Sequence, residues 1–457
     1  MNSESKSFYK SLLFVVGPLA LQNLISALVN SVDIFMLGSV GQTAIASSSL
    51  ANQVTFILFM VTTGLSSGLV MLAAQYWGKQ DIVSIQTLSG IAFRISASVG
   101  LVVAFASFFI PSQIMHFFTD DPNMISVGAS YLRAVSFSFL FMSVSQIFHA
   151  AFKSVEKVLF VTVLTFVSLG TNVILNGCFL YGWLGFPKMG IVGVGIATSI
   201  ARFIEMLICI IYGILQKKFG IGLHLVFRRN PLLTKDFFKY SLPAVGNELV
   251  WGLAFSMYSV ILGRLGEDIV AADSVVNVVR RLGTVLVFGT AYGGAIVLGK
   301  YMGAGNLDVA ERNSSRLAKV TLATGIFGAI LVLCLNPVLP MIADLNETAS
   351  RYRTLLLLIN SYSIIGCAVN TGLICGIFRA GGDSKFGFIT DAISMWFVSL
   401  PLGLLAAFVF KLSPVWVYFV LYLDEFEKMP IVIVHYFRKT WLKNITRDKN
   451  QLEEKMS

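Results

Sequence analysis

The chain has 457 residues, 56% of them hydrophobic and only 13% charged, with a mean hydropathy of +0.78 and a formal net charge of +10. Soluble domains carry about 25% charged residues, so this chain has too few polar side chains to coat a water-facing surface of its size. An ordinary soluble protein is excluded, and the positive charge reads as the loop bias of a membrane protein, with no nucleic acid as partner.

The chain opens on a polar stretch, MNSESKSFYKS, followed by an apolar run too long for a signal peptide. That run is expected to stay as a helix. A spanning helix needs about 20 mainly apolar residues. Twelve such segments are predicted: 12–37, 44–76, 88–110, 124–152, 159–182, 190–214, 237–263, 269–302, 316–343, 353–378, 386–410 and 414–437. Breakers separate them, among them GSVGQT, IPSQ, DDPN, GFPKMG, GRLGED and KLSPV. The five Cys residues lie in apolar stretches without a CxxC pair and are expected to be small buried side chains with no disulfide or metal role. The four His residues share no ligand spacing.

Lys and Arg set the orientation. Lys217, Lys218, Arg228, Arg229 and Lys235 fall between the sixth and seventh segments. Lys79, Lys153, Lys157, Arg312, Arg379 and Lys385 fall in loops on the same side, and Arg438, Lys439, Lys443, Arg447 and Lys449 in the tail. The opposite loops hold few basic residues, among them Lys188, Arg264 and Lys411. Both termini and the central loop are therefore expected in the cytoplasm.

The chain also repeats itself. With Pro18 set against Pro243, Gly38 falls on Gly263, Gly41 on Gly266, Asn52 on Asn277, Gly64 on Gly289, Gly68 on Gly293, Tyr76 on Tyr301 and Gly78 on Gly303. Six crossings per half is an even number, so the second half enters from the same side as the first. The expected fold is an all-α integral membrane protein with twelve transmembrane helices in two six-helix lobes, related by a pseudo-two-fold along the membrane normal. The lobes are expected at 1–215 and 237–440, with a cytoplasmic linker at 216–236 and a cytoplasmic tail at 441–457.

Asp33 lies mid-helix in apolar sequence. An ionised carboxylate at that depth costs about 2.5–3.5 kcal/mol on insertion scales, so such residues usually face a cavity and have a function. Asp33 is placed to take up and release a proton as that cavity opens to either side, or else to pair with another helix. Asn172 and Asn176 are one turn apart and share a helix face. The repeated glycines are expected to allow close helix approach.

Residues 17–81 run from GPLALQNLISALVNSVDIFMLG to MLAAQYWGKQD. They resemble the opening of the multidrug and toxic compound extrusion (MATE) family, with a Pro in the first helix, an Asp fifteen residues on, a Gly-rich turn and a second helix ending in AQxxG. LPAVGNELVWGLAFSMYSVILGRLGEDIVAA, GIFRAGGDSK and KMPIVIVHYFRKTWLKNITR resemble the seventh helix, the loop after the tenth and the end of the twelfth. The resemblance covers essentially the whole chain. It implies a secondary antiporter that exports organic cations, drugs or other amphipathic compounds in exchange for H⁺ or Na⁺. It further implies small organic substrates, a monomer in the cell (inner) membrane, and no cofactor beyond the coupling ion.

The family's amino-terminal ion site implies that Asp33 works with Asn172, Asn176 and Thr198, as a proton site or a Na⁺ site. Several members have a second Asp where this chain has Asn176, which weakens the case for Na⁺ there. Pro18 is implied as the hinge of the first helix, and Glu248 as a second-lobe acid. Members that use an Asp in the tenth helix have no counterpart here, where Asn370 stands instead. Phe35, Gln53, Met60, Trp251, Tyr258, Asn277 and Asn370 are candidates to line the substrate cleft. Asp273, Arg280 and Arg281 are expected to form a charge network, with Asp391 and Glu205 as further buried acids. Arg/Asp pairs in FRAGGDSK are expected to brace helix ends. A lipid-linked saccharide flippase of the same wider superfamily is the alternative function; it would favour basic residues in its cleft. An integral-membrane enzyme is a further alternative, but the sequence has no P-loop, Ser/His/Asp triad or clustered catalytic set.

Overall fold

The computed structural model describes residues 3–38, 41–216, 228, 230–341, 345–448 and 451, apart from the side chains of 3, 27–35, 37, 38, 42 and 341. It is all helical within those bounds. Helices α1 (Ser3–Gly38), α2 (Gln42–Gly78), α3 (Ile82–Phe109), α4 (Pro122–Ser154), α5 (Val158–Tyr181) and α6 (Gly190–Leu215) form the first set. Helices α7 (Pro231–Gly263), α8 (Glu267–Gly303), α9 (Leu307–Leu335), α10 (Glu347–Phe378) and α11 (Ser384–Val409) follow. Among the described residues, these eleven helices hold windows apolar and long enough to cross a membrane.

The twelfth predicted crossing differs from the expectation. It is broken into Pro414–Leu421, Asp424–Glu427 and Met429–Arg438, together called α12. The break falls on LDEFEKMP, where four charged side chains and a proline replace an apolar run. Pro430 supplies no backbone N–H, which suits it to the first turn of a new helix. Several helices also begin before the predicted bounds, because capping side chains reach into polar sequence. Asp121 accepts from the amide of Asn123 at the start of α4, and Asn346 from that of Ala349 at the start of α10.

The repeat is visible in the backbone. α2 and α8 each have 37 residues and occupy equivalent positions of the two repeats. At 1.5 Å per residue each is about 55 Å long, well beyond a hydrocarbon core of about 30 Å, so their ends project past it. The turns before them place Gly41 and Gly266 at φ +126° and +127°. That region favours glycine, which explains why both halves keep one there. Pro18 and Pro243 lie inside α1 and α7.

The chain divides into two compact units. One contains Leu21–Ala73, Gln80–Ser241 and Arg447–Ser457; its core includes Leu58, Leu132, Val135, Phe139 and Val194. The other contains Met1–Ala20, Ala74–Lys79 and Leu242–Thr446; its core includes Ala254, Val276, Leu356, Met395 and Leu421. Thus the first turns of α1 pack with the second half of the sequence, and those of α7 with the first half. In the first unit Gly68 of α2 lies so close to Ser241 of α7 that a methyl group would overlap it. In the second, the equivalent Gly293 of α8 meets Val15 and Val16 of α1.

At their C-terminal ends α2 and α8 cross through a matched pair. A side chain on Gly78 would overlap the carbonyl of Lys300, and one on Gly303 the carbonyl of Gln75. Gln75 also holds the tail: its amide donates to the carbonyls of Ala380 and Lys443 and accepts from the amide of Ile445. Cys178, Cys209 and Cys367 are buried as expected, but Cys375 is half-buried and Cys334 is exposed. In a bilayer an outward face is apolar, so a small apolar thiol gains nothing by turning inward.

Candidate ion-coupling sites

In the first unit, α5 brings Asn172 and Asn176 to one face, as their spacing predicts, and α6 supplies Thr198. Asn172 Nδ2 donates to Thr198 Oγ1 at 3.2 Å, and Asn176 Nδ2 donates to Asn172 Oδ1 at 3.3 Å. Thr198 in turn donates to the carbonyl of Val194. The two amides are buried. Directly after Asn176 the helix widens to π geometry over Gly177–Tyr181, a local change common at functional sites. These oxygens suit a hard cation in chemical type, but Asn172 Oδ1 and Thr198 Oγ1 already accept hydrogen bonds. Any ion held here needs a carboxylate to favour it over those bonds. Asp33, the expected carboxylate, and Phe35 have side chains outside the described residues.

Among the described residues, two bonds tie α1 to α5: Gln22 Nε2 donates to Thr165 Oγ1 at 2.9 Å, and the Tyr181 hydroxyl donates to the carbonyl of Met36 at 3.4 Å. Deeper in α6, Glu205 is buried and accepts from Ser168 and Arg202 at 2.7 Å each, with His149 Nε2 at 3.3 Å. Glu205 is thus the buried acid expected, and it is paired within its own unit.

The second unit is organised differently. Arg379 donates to Glu248 at 3.0 Å and to Asn247 Oδ1 at 2.6 Å. Asn247 Nδ2 donates to Asp391 Oδ2 at 2.6 Å, and Lys428 Nζ donates to Asp391 Oδ1 at 3.0 Å. Lys428 is also 3.3 Å from Glu425 and 3.6 Å from Asp424. Asn370 Nδ2 donates to both the carbonyl and the carboxylate of Glu425, at 2.6 and 2.8 Å. α10 and α11 adopt π geometry at Gly372–Phe378 and Ala392–Ser399, immediately beyond this network.

Two expectations are corrected here. Arg379 turns to Glu248 rather than Asp383, which pairs with His435 at 2.7 Å. The network expected along α8 is not built from ion pairs. Arg280 lies over the rings of Phe255 and Tyr422 at 4.8 and 4.6 Å, Asp273 accepts from Asn277 at 2.9 Å, and Arg281 is exposed. Successive helix positions diverge by about 100°, so Arg280 and Arg281 cannot share a buried face.

Among the cleft candidates, Gln53 is exposed, while Met60 and Tyr258 are buried, the latter within the second unit's core. Trp251 is half-buried with its ring 4.5 Å from that of Phe255. Asn277 and Asn370 serve the carboxylates named above. The sequence reading missed Asp424, Glu425 and Lys428. Their signal was a DEFEK run inside an apolar crossing, where ionisable residues are rare and functional.

The model of the MatE family matches residues 18–177 and again 243–405, each match starting at a repeat proline. The chain is 24% identical to the uncharacterized transporter YisQ of Bacillus subtilis, over 94% of this chain and 95% of that protein. It is 24% identical to the probable multidrug resistance protein YoeA of the same organism, over 96% of each. The multidrug resistance protein NorM of Photobacterium profundum is 24% identical, over 86% of each. Among solved structures, a mutant of the Vibrio cholerae MATE transporter VcmN aligns with TM-score 0.87 at 15% identity, covering 96% of this chain and all of that one. A MOP superfamily transporter from Pyrococcus furiosus aligns with TM-score 0.82 at 15% identity, over 95% and 96%. The fold is therefore that of the two-lobed MATE transporters, in a multi-pass membrane protein.

Proposed function

Because the chain belongs to the MatE family, we propose that it is a secondary active antiporter, not an enzyme, exporting organic cations or other amphipathic compounds in exchange for H⁺ or Na⁺. It works in the cell (inner) membrane with both termini cytoplasmic. The lobes at 1–215 and 237–440, linked by 216–236, alternate access to a cleft as Asp33 gains and loses its ion. The carrying observation is the grouping of buried Asn172 and Asn176 with half-buried Thr198 on helices tied to α1 through Gln22 and Thr165. Asp33 follows Gln22 by eleven residues, as Asn176 follows Thr165. Eleven residues is about three turns, so position 33 shares a helical face with Gln22 and position 176 with Thr165. In helices entering from the same side, these positions lie at the same depth.

One charge crossing 100 mV supplies about 2.3 kcal/mol, or roughly a fifty-fold gradient, enough for useful efflux. The flippase reading asks for basic side chains open to a diphosphate. Arg280, Arg379 and Lys428 are instead engaged by aromatic rings or carboxylates inside one unit, which favours the antiporter. Ethidium efflux from everted vesicles, driven in turn by a pH gradient and by a Na⁺ gradient, tests the function and identifies the ion. Asp33→Asn should abolish gradient-driven efflux, and full efflux by that variant would remove Asp33 from the mechanism.

A further inference from the structure

The charges inside the second unit do not balance. Among its described residues, Asp273, Asp391, Asp424 and Glu425 are four buried carboxylates against three buried cations, Lys428, Arg280 and Arg353. Glu248 and Arg379 neutralise each other and leave this count unchanged. An unmatched buried charge costs several kcal/mol, so the excess must be met by bound positive charge.

Hydrogen bonding singles out one of the four. Asp391 accepts from Asn247 and Lys428, Glu425 accepts from Asn370, and Asp273 accepts from Asn277. Asp424 is 1% exposed, and neither of its side-chain oxygens accepts a hydrogen bond. Its one close cation, Lys428, is 3.6 Å away and stands nearer to both Asp391 and Glu425. The groups facing Asp424 are Tyr422, Glu425 and Lys428 on α12, Asp391 on α11, Arg280 on α8 and Tyr258 on α7. A second orphan lies in the same cluster: Asn370 Oδ1, on the amide that donates to Glu425, is buried without a donor.

A metal ion is the poorer occupant. Three carboxylates converge on the Lys428 ammonium, so a tethered cation already fills the place where their oxygens meet. Among the described residues, no group of three or more His, Cys, Asp or Glu side chains is arranged to hold a metal.

We propose that Asp424 is a proton-binding site of the second lobe, with Lys428 as its fixed counter-cation and Asp391 and Glu425 sharing that ammonium. A proton binding to the Asp424 carboxylate gives a neutral carboxyl group that can donate a hydrogen bond, and its release restores the anion while Lys428 keeps its charge. The use of such a site in transport rests on the antiporter reading above, but its existence does not.

Infrared spectra of the purified protein in lipid nanodiscs at neutral pH test the site without any transport. The difference spectrum of wild type minus Asp424→Asn should show the carbonyl stretch of a protonated carboxyl, a band that Asp33→Asn retains. Absence of the band from that difference, or its removal by Na⁺ at fixed pH, would overturn the proposal. Lys428→Gln gives a second readout should Asp424→Asn fold poorly. Without the ammonium another carboxylate must take up a proton and the band should grow; an unchanged band in folded protein counts against the assignment. In vesicles, Asp424→Asn should lose efflux of ethidium driven by a pH gradient. If the wild type moves no ethidium under any gradient, the antiporter reading fails while the infrared result still decides the site.

Discussion

Gln22 and Asn247 each lie four residues after a repeat proline, and Thr165 and Asp391 are each the eighth residue of their helices. The fold brings each pair together: Gln22 bonds Thr165 in one unit, and Asn247 bonds Asp391 in the other. One contact is neutral and ends there. The other continues to Arg379, Glu248 and Lys428. The same scaffold position thus supports a simple amide–hydroxyl contact in one lobe and a buried ionic network in the other. The duplicated framework sets where helices meet, and local side chains decide whether the meeting point carries charge.

The largest effect should come from breaking the ionic side. Arg379→Met strands Glu248 and one acceptor of Asn247 inside the protein, with an expected loss of about 3–5 kcal/mol. A sharp fall in apparent Tm and in monodisperse yield from detergent would register it, and a neutral outcome would mean that the Arg379–Glu248 pair adds no net stability. The equivalent pair then sharpens the contrast. Asn247→Ala loses bonds to two charged groups, about 1.5–3 kcal/mol for such a bond, whereas Gln22→Ala loses one neutral bond, about 0.5–1.5 kcal/mol. Equal shifts in thermal unfolding for the two variants would erase the distinction between the lobes.

Where the halves agree, matched substitutions should cost the same. Gly78→Ala and Gly303→Ala each drive a methyl into a backbone carbonyl across the α2–α8 crossing, and each should destabilise by about 1–3 kcal/mol. Unequal Tm shifts would show that the crossing is not symmetric in energy. The smallest effect is expected at the tail. Gln75→Ala removes two contacts to a tail segment that water can partly solvate and one to Ala380, and should mainly raise protease sensitivity near Trp441.

The sequence made the framework readable because membrane helices announce themselves by length and apolarity, and because the glycine and proline positions recur at a fixed offset. Gly41 and Gly266 carry the same positive φ, and α2 and α8 match in register. The Asn172, Asn176 and Thr198 grouping was likewise accessible from spacing and resemblance. The second-lobe network was not. Its members are scattered over α7, α10, α11 and α12, and only packing joins Asn247 to Asp391 or Asn370 to Glu425. The pairing of Arg379 misled the sequence reading because Asp383 is near in the chain while Glu248 is near in space.

The reciprocal seating of Gly78 on Lys300 and of Gly303 on Gln75 is the contact a homodimer makes with itself across a two-fold axis, where residue i meets j and j meets i. A self-associating half-length ancestor would have had to accept every substitution in both copies at once. Joining the copies into one polypeptide lifts that constraint. A glycine needed for the crossing stays in both, while a carboxylate and its lysine can arise in one alone.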